Sequence, residues 1–401
     1  MVQLQAMAGD RGDQRLARLP TAGALLLLIR QGLASTRADL VQLTGLGRST
    51  VAQRVDALIA SGLVEERTEG ASTGGRPPGI LVVNRASGLI LAGDLGATHS
   101  RIAVTDLGGV VLAENPSDQK IAEGPGSFLD WLDERFTELL ERLGRTKSDV
   151  RGIGIGVPGP VEFATGRPVS PPIMPGWDGY PIPERFESYG VPVLVDNDVN
   201  IMALGEHWSR WRDCDHLLFI KVGTGIGCGI VASGAIHRGA EGAAGDIGHI
   251  RVTNDESVVC ACGNIGCVEA IAGGAALARQ LSALGFEAES SRDFVRLVRA
   301  GNPAAVRLAR QAGRLLGEVL AAATNLYNPS VIVIGGDVAN AHEQLFAGIR
   351  EIVYQRSLPL ATRHLRIVRS DLEDRAGIIG ASVLVAEQVF SPEAVDALIA
   401  E

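Results

Sequence analysis

No apolar stretch in this 401-residue chain approaches the roughly 20 residues of a membrane-spanning helix. The longest early run is only Ala24 to Ile29. Met1 to Asp10 places no basic residue ahead of an apolar core, so no secretory signal is expected and the protein is assigned to the cytoplasm, with no membrane partner. Cysteine is scarce, five in all, and Cys214 and Cys228 stand alone, as small core residues do. Lysine is absent from residues 1–85, where ten arginines against seven acids give +3. The remainder carries 27 basic and 39 acidic residues, so the chain totals −9. A mildly basic head on an acidic body fits a head that meets a polyanion. The length allows two or three domains. Fifty glycines cluster in short runs beside apolar segments, a pattern of strand-turn-strand loops rather than of a linker.

The other three cysteines lie within eight residues. Gly-Asp-Ile-Gly-His249 is followed, ten residues later, by Cys260-Ala-Cys262-Gly-Asn-Ile-Gly-Cys267-Val-Glu269. His249, Cys260, Cys262 and Cys267 supply the four soft ligands of a closed tetrahedral zinc site. Gly263 and Gly266 give the loop between the thiols its backbone freedom. The alternatives are free thiols in a reduced compartment or a disulfide, for which Cys-x-Cys is cramped. Four protein ligands leave no open position for an activated water, so the zinc is expected to be structural.

Residues 1–85 read as a DNA-binding domain, the alternative being a small helical domain with an ordinary surface. Leu25, Leu26, Ile29 and Leu33 form one helical stripe, and Thr36-Arg-Ala-Asp39 is a capping box opening a helix with Leu40 and Leu43. Gly45 and Gly47 turn the chain around Leu46 into a third helix whose inner face is Val51, Val55, Leu58 and Ile59. Helix, glycine turn and helix in this span form a helix-turn-helix pattern. Its last helix leaves Arg48, Thr50, Gln53 and Arg54 outside, residue types suited to base edges and phosphates. Leu63 to Arg67 and Ile80 to Val83 read as two strands of a wing. At its tip, Arg76 is held extended by the following proline and can enter a narrow minor groove.

Residues 86–401 read as an α/β body. Gly88 to Asp94 is a buried strand, turning through Leu95-Gly96-Ala97-Thr98 into a returning strand. Phe219 to Val222 leads through Gly223-Thr224-Gly225 into a second such hairpin, so the two form a distant repeat, one per lobe (86–198 and 199–380). Glycine turns let backbone N–H groups approach phosphate oxygens or simply make tight turns, the commoner meaning, and an acid such as Asp94 can hold magnesium through water. The strand Val191 to Val195 delivers Asn197 and Asp198 at its carboxyl end, where ligands gather in open α/β sheets, or where they simply cap the next helix. Asn302-Pro303 starts a long helix reaching about Tyr327. Ser391-Pro392 starts a last short helix with a packing role.

The histidine followed by Cys-x-Cys-Gly-x-x-Gly-Cys-x-Glu resembles the signature of the ROK family, which joins bacterial sugar kinases to sugar-responsive transcription factors. The resemblance spans about Thr36 to Ala381 and implies a two-lobed actin-like ATPase (ribonuclease H-like) body with a zinc loop beside a sugar pocket. By the same resemblance Asn197, Asp198, Asp246, His249 and Glu269 contact sugar, and Asp198 is the base if the protein is a kinase. Asp94, Gly96, Thr98, Gly223, Thr224 and Gly225 match phosphate loops, and Gly335 and Gly336 the turn near adenosine, so ATP and Mg2+ are implied ligands. The repressor members carry a winged head with Gly-Gly-Arg-Pro, as here. Two departures weaken the kinase reading: His99 stands where kinases of the family have lysine, and Ala97 replaces a phosphate-loop glycine. The expected function is therefore a sugar-responsive DNA-binding regulator of carbohydrate genes, with an ATP-dependent sugar kinase as the alternative. Two-fold operators imply a homodimer or homotetramer.

Overall fold

Thr21 opens the first helix of the head, its hydroxyl accepting the Ala24 N–H at 3.2 Å, and α1 runs over Ala22–Arg30. The computed structural model describes residues 21–68, 79–341 and 343–400. Helix α1 stops short of the expected stripe. Gly32 takes a left-handed φ of +75° and the Leu33 N–H closes back on the Leu28 carbonyl at 3.0 Å, so Leu33 leaves the core and is 48% exposed. Helix α2 (Arg37–Thr44) begins with the expected capping box, the Asp39 carboxylate accepting the Thr36 N–H at 2.8 Å. Its packing falls on Leu40 and Val41, which leaves Leu43 exposed, against expectation. Gly45 and Gly47 lead into α3 (Arg48–Ala60), which buries Val51, Val55 and Leu58.

Strands β1 (Val64–Thr68) and β2 (Gly79–Val83) pair antiparallel as the stem of the wing. The wing tip, and with it Arg76, lies outside the described residues. Arg37 ties the head together, its Nη2 reaching Asp56 on α3 at 2.7 Å and Glu66 on β1 at 2.9 Å.

The body contains two sheets of one topology. The first uses β3 (Leu89–Leu95), β4 (Ser100–Asp106), β5 (Val111–Ser117), β6 (Val150–Val157) and β9 (Val193–Asn197), in the order β5-β4-β3-β6-β9. Helix α4 (Pro125–Arg142) covers it, and the connection from β6 to β9 carries a separate two-residue pair, β7 (Val161–Glu162) and β8 (Arg167–Pro168). Helix α5 (Asp198–Arg210) leads to the second sheet, which begins with β10 (His216–Val222), β11 (Ile226–Ala232) and β12 (Ala235–Ile236). Helices α6 (Val268–Ala272), α7 (Gly274–Ala283), α8 (Ser291–Arg299) and α9 (Pro303–Tyr327) follow, then β13 (Val331–Gly335), α10 (Glu343–Arg356), α11 (Pro359–Thr362) and β14 (Arg366–Arg369). Its order is β12-β11-β10-β13-β14. In each sheet an antiparallel hairpin is followed by two parallel crossovers. The glycine hairpins β3–β4 and β10–β11 thus occupy equivalent places, as the repeat predicts.

Helix α12 (Ala376–Val389) follows the second sheet in sequence but packs on the first, Ala381 and Val385 filling the space left by Gly154 and Gly152 of β6. The linear division at residue 380 therefore cuts through this helix. It crosses α5 so closely that a Cβ at Gly380 would stand 1.6 Å from the Ile201 carbonyl oxygen. Gly380→Ala must push two backbones apart, and a loss of at least about 1–3 kcal/mol is expected, as for an overpacked core. An unchanged denaturant midpoint would contradict this close crossing. The last helix, α13 (Pro392–Ala400), packs on the head. Val385 and Phe390 of the α12 segment and Val395 of α13 share one hydrophobic core with Leu25, Leu28, Val55 and Leu81. The Asp396 carboxylate accepts the Gly23 N–H at 2.8 Å. No single helix among the described residues is long and apolar enough to cross a membrane.

Candidate functional site

His249 ends a short helical turn, Ile247–His249, that Gly245 makes possible. Gly245 has φ +107°, and a Cβ there would stand 1.8 Å from the Cys228 carbonyl of β11. Only glycine allows that approach, which lays the loop against the second glycine hairpin. From the other end, Gly266 (φ +79°) brings Cys267 to the start of α6. The ligand atoms of His249, Cys260, Cys262 and Cys267 lie within 4.8 Å of one another. His249 Nδ1 stands 3.6 Å from Cys260 Sγ, and the Cys262 and Cys267 sulfurs are 3.8 Å apart. Four ligands about 2.3 Å from a central zinc in tetrahedral array have sulfurs about 3.8 Å apart, whereas a disulfide needs about 2.05 Å. The four residues fit zinc, and the approach of Nδ1 leaves Nε2 free to act on a ligand.

Helix α6 carries Glu269 from the metal loop to the hairpin. Its Oε2 accepts the Ile226 N–H at 2.8 Å, and a Cβ at Gly225 would strike the same oxygen at 2.4 Å. One carboxylate thus joins the metal loop to the Gly223–Gly225 turn. On the opposite side, β9 delivers Asn197 as the cap of α5. Its side-chain oxygen accepts the Val199 N–H at 2.9 Å, and its amide donates to the Gly159 carbonyl at 3.0 Å. Capping is therefore present, and the residue still lines the cavity.

That cavity is a cleft of about 760 Å³ between the two sheets. Asp94, Gly96, Thr98, Asn197, Asp198, Gly223, Thr224, Gly225, Asp246, His249, Glu269 and Gly336 all line it, with Cys262 at the metal end. Gly335 does not, because it ends β13 against the Phe219 ring, where a Cβ would meet the ring at 2.5 Å. Asp94 is held against Gly377 at the start of α12, and burial pushes its carboxyl up to about 7 despite the nearby Lys221. His99 is held below the usual histidine range by burial, with Arg292 and Lys221 acting in the same sense against Asp337. Burial thus disfavours its charged form, and it is a poorer source of positive charge than a lysine would be.

Several cleft residues escape the sequence reading. Lys221, on β10, places its Nζ 2.5 Å from Asp198 Oδ2. Burial opposes its charge, but Asp198 and Asp94 outweigh it and hold Lys221 above the ordinary lysine value. Asp196, neighbour to the anticipated pair, is committed elsewhere: Arg238 binds it at 2.7 Å and Asn200 donates to it at 2.9 Å. The signal for Lys221 was a charged residue inside the apolar run Phe219-Ile-Lys-Val. An ammonium bonded to Asp198 beside Asp94 fits poorly with a divalent cation at the same carboxylates, so the residues present do not suit Mg2+-ATP.

On the head, Arg48 and Gln53 are exposed and Thr50 is half-buried on α3. Arg54 is less available than expected: it is half-buried, and its Nη1 is shielded without a hydrogen-bond partner among the described residues. Gly47 caps α3 without a side-chain hydrogen bond, so the first N–H groups of this helix have no cap oxygen of their own.

The ROK family profile matches residues 90–388. The xylose repressor of Caldicellulosiruptor bescii is 32% identical over 372 residues, covering 89% of this chain and 92% of the relative. A solved ROK family transcriptional regulator, described as a homolog of the Escherichia coli MLC protein, superposes with a TM-score of 0.79 at 28% identity, covering 96% of this chain and 99% of its own. A ROK family glucokinase from Streptomyces griseus, solved with glucose and AMPPNP, has a TM-score of 0.65 at 29% identity, covering 74% of this chain and 99% of its own. The regulators match nearly the whole chain, whereas the kinase matches a share about the size of the body.

Proposed function

The chain belongs to the ROK family, and on that premise we propose that it is a sugar-responsive DNA-binding transcriptional regulator, with a repressor's mode of action. The observation that carries this reading is the path of α12. Its first turn packs Gly377 on Asp94 in the cleft, and its last turn enters the core of the head. Fourteen helical residues span about 21 Å, so a shift at the cleft is delivered to the head by one stiff element. Sugar bound among Asn197, Asp198, Asp246, His249 and Glu269 would close the lobes across the α5–α12 crossing and re-aim the two heads of a homodimer or homotetramer. In this reading operator DNA would be contacted by Arg48, Thr50, Gln53, Arg54 and Arg76, a role that fits a cytoplasmic protein.

Zinc in this reading is structural. His249, Cys260, Cys262 and Cys267 would hold it, and His249, bound through Nδ1, would then have Nε2 available for a sugar hydroxyl. The alternative, an ATP-dependent sugar kinase with Asp198 as base, draws support from the two glycine turns. His99, whose charged form burial disfavours, and the Lys221–Asp198 pair oppose it. A coupled assay with ATP, Mg2+ and a sugar panel is expected to show no sugar-dependent ADP release. Turnover at ordinary enzyme rates, about 1–1,000 per second, would establish the kinase instead.

A further inference from the structure

We infer that Lys221 is a specificity-determining residue, an internal counter-ion that takes the place of a divalent cation between Asp198 and Asp94 and so keeps the cleft a reading site. This deepens the regulator reading and rests on it.

The geometry is specific. Lys221 extends from β10, just before the Gly223–Gly225 turn, and its Nζ bonds to Asp198 Oδ2 at 2.5 Å. Asp198 is 3% exposed and stands at the first turn of α5. Asp94 comes from the equivalent hairpin of the other sheet, and both carboxylates line the cleft. Phosphoryl transfer to a sugar hydroxyl needs two things here. A carboxylate must be free to accept the hydroxyl proton, and a divalent cation must neutralise the phosphate oxygens near the glycine turns. Lys221 engages the carboxylate and brings a positive charge where the cation would stand. A second, doubly charged ion would have to displace the ammonium or sit beside it, and like charges a few ångströms apart in a partly buried cleft repel strongly.

The surrounding charges complete the arrangement. Asp196 is neutralised by Arg238 at 2.7 Å and is not a spare ligand. Arg101 pairs with Glu114 at 3.2 Å and with Asp374 at 3.3 Å. Lys221 is thus the cation hydrogen-bonded to Asp198, and a sugar hydroxyl entering there meets an ion pair, not a base beside a metal.

The test is Mn2+ binding followed by electron paramagnetic resonance, on the full-length zinc-loaded protein without nucleotide. Wild type is expected to leave added Mn2+ free. Lys221→Thr is expected to bind one Mn2+ at least about tenfold more tightly, as removal of an adjacent positive charge requires. Lys221→Arg, which keeps the charge, should behave as wild type, and Lys221→Thr/Asp198→Asn should lose the new site. If Lys221→Thr does not fold, Lys221→Gln takes its place. Equal Mn2+ binding by wild type and the neutral variants, or its absence from both, would overturn the inference. Operator binding measured in parallel separates that outcome from a failure of the regulator reading, because α3 and the wing lie outside the cleft.

Discussion

Cys262→Ser protein is expected to hold well below one zinc per chain and to lose sugar affinity by about 10–100-fold, the order of the losses in metal affinity or activity that follow removal of outer-shell support at metal sites. The chain of causes is short. Cys262 and Cys267 face each other at 3.8 Å, and His249 Nδ1 faces Cys260 at 3.6 Å. Without the metal the His249 ring is left with the weak contact of its Nδ1 to Cys260 Sγ, and the loop that Glu269 ties to the Ile226 N–H is expected to loosen with it. Metal analysis and calorimetric sugar titration of the same preparation check both halves. Zinc loss with unchanged sugar affinity would break the coupling, and one-to-one zinc in the variant would break the ligand assignment. Operator affinity should persist in part, since the metal loop contributes nothing to the hydrophobic core of the head.

Gln53→Ala is expected to weaken operator binding by about 1–3 kcal/mol and to relax preference at one base pair, the mark of a lost base contact. Arg48→Ala, at the first turn of α3, should weaken all sequences alike and lower the salt dependence, the mark of a lost phosphate contact. Fluorescence anisotropy on duplexes selected from a random pool, repeated at several salt concentrations, distinguishes the two. Both exposed positions are better probes than Arg54, whose partial burial mixes a packing loss into any binding loss.

Local chemistry was the most legible part of the sequence. The capping box at Thr36, the glycine turn into α3 and the twin hairpins follow from nearby residues and stand where expected, and the four candidate metal ligands are brought within 4.8 Å of one another. Elements without such punctuation were not anticipated. Strand β5 has a mostly half-exposed, mixed pattern, and α4 opens at Gly124 without a side-chain cap, its one start signal being Pro125 at the first helical position, which the sequence reading passed over. Leu33 illustrates a second limit: helical spacing cannot say where a glycine closes the helix. Contacts between distant segments were the least visible. Arg37 bridging α3 and the wing, Lys221 facing Asp198, and α13 completing the head all depend on tertiary placement. The path of α12 from cleft to head, on which the regulatory reading rests, belongs to this last class.

Coupling between cleft and head is the central claim, and one titration addresses it directly. The affinity of the full-length zinc-loaded protein for a selected operator duplex is measured by anisotropy while sugars from a panel are added without ATP. A sugar that calorimetry shows to bind should shift operator affinity by about 5–150-fold, and Val395→Asp, which disrupts the joint between α13 and the head, should reduce that shift. A sugar that binds the cleft with full occupancy yet leaves operator affinity unchanged would contradict the account.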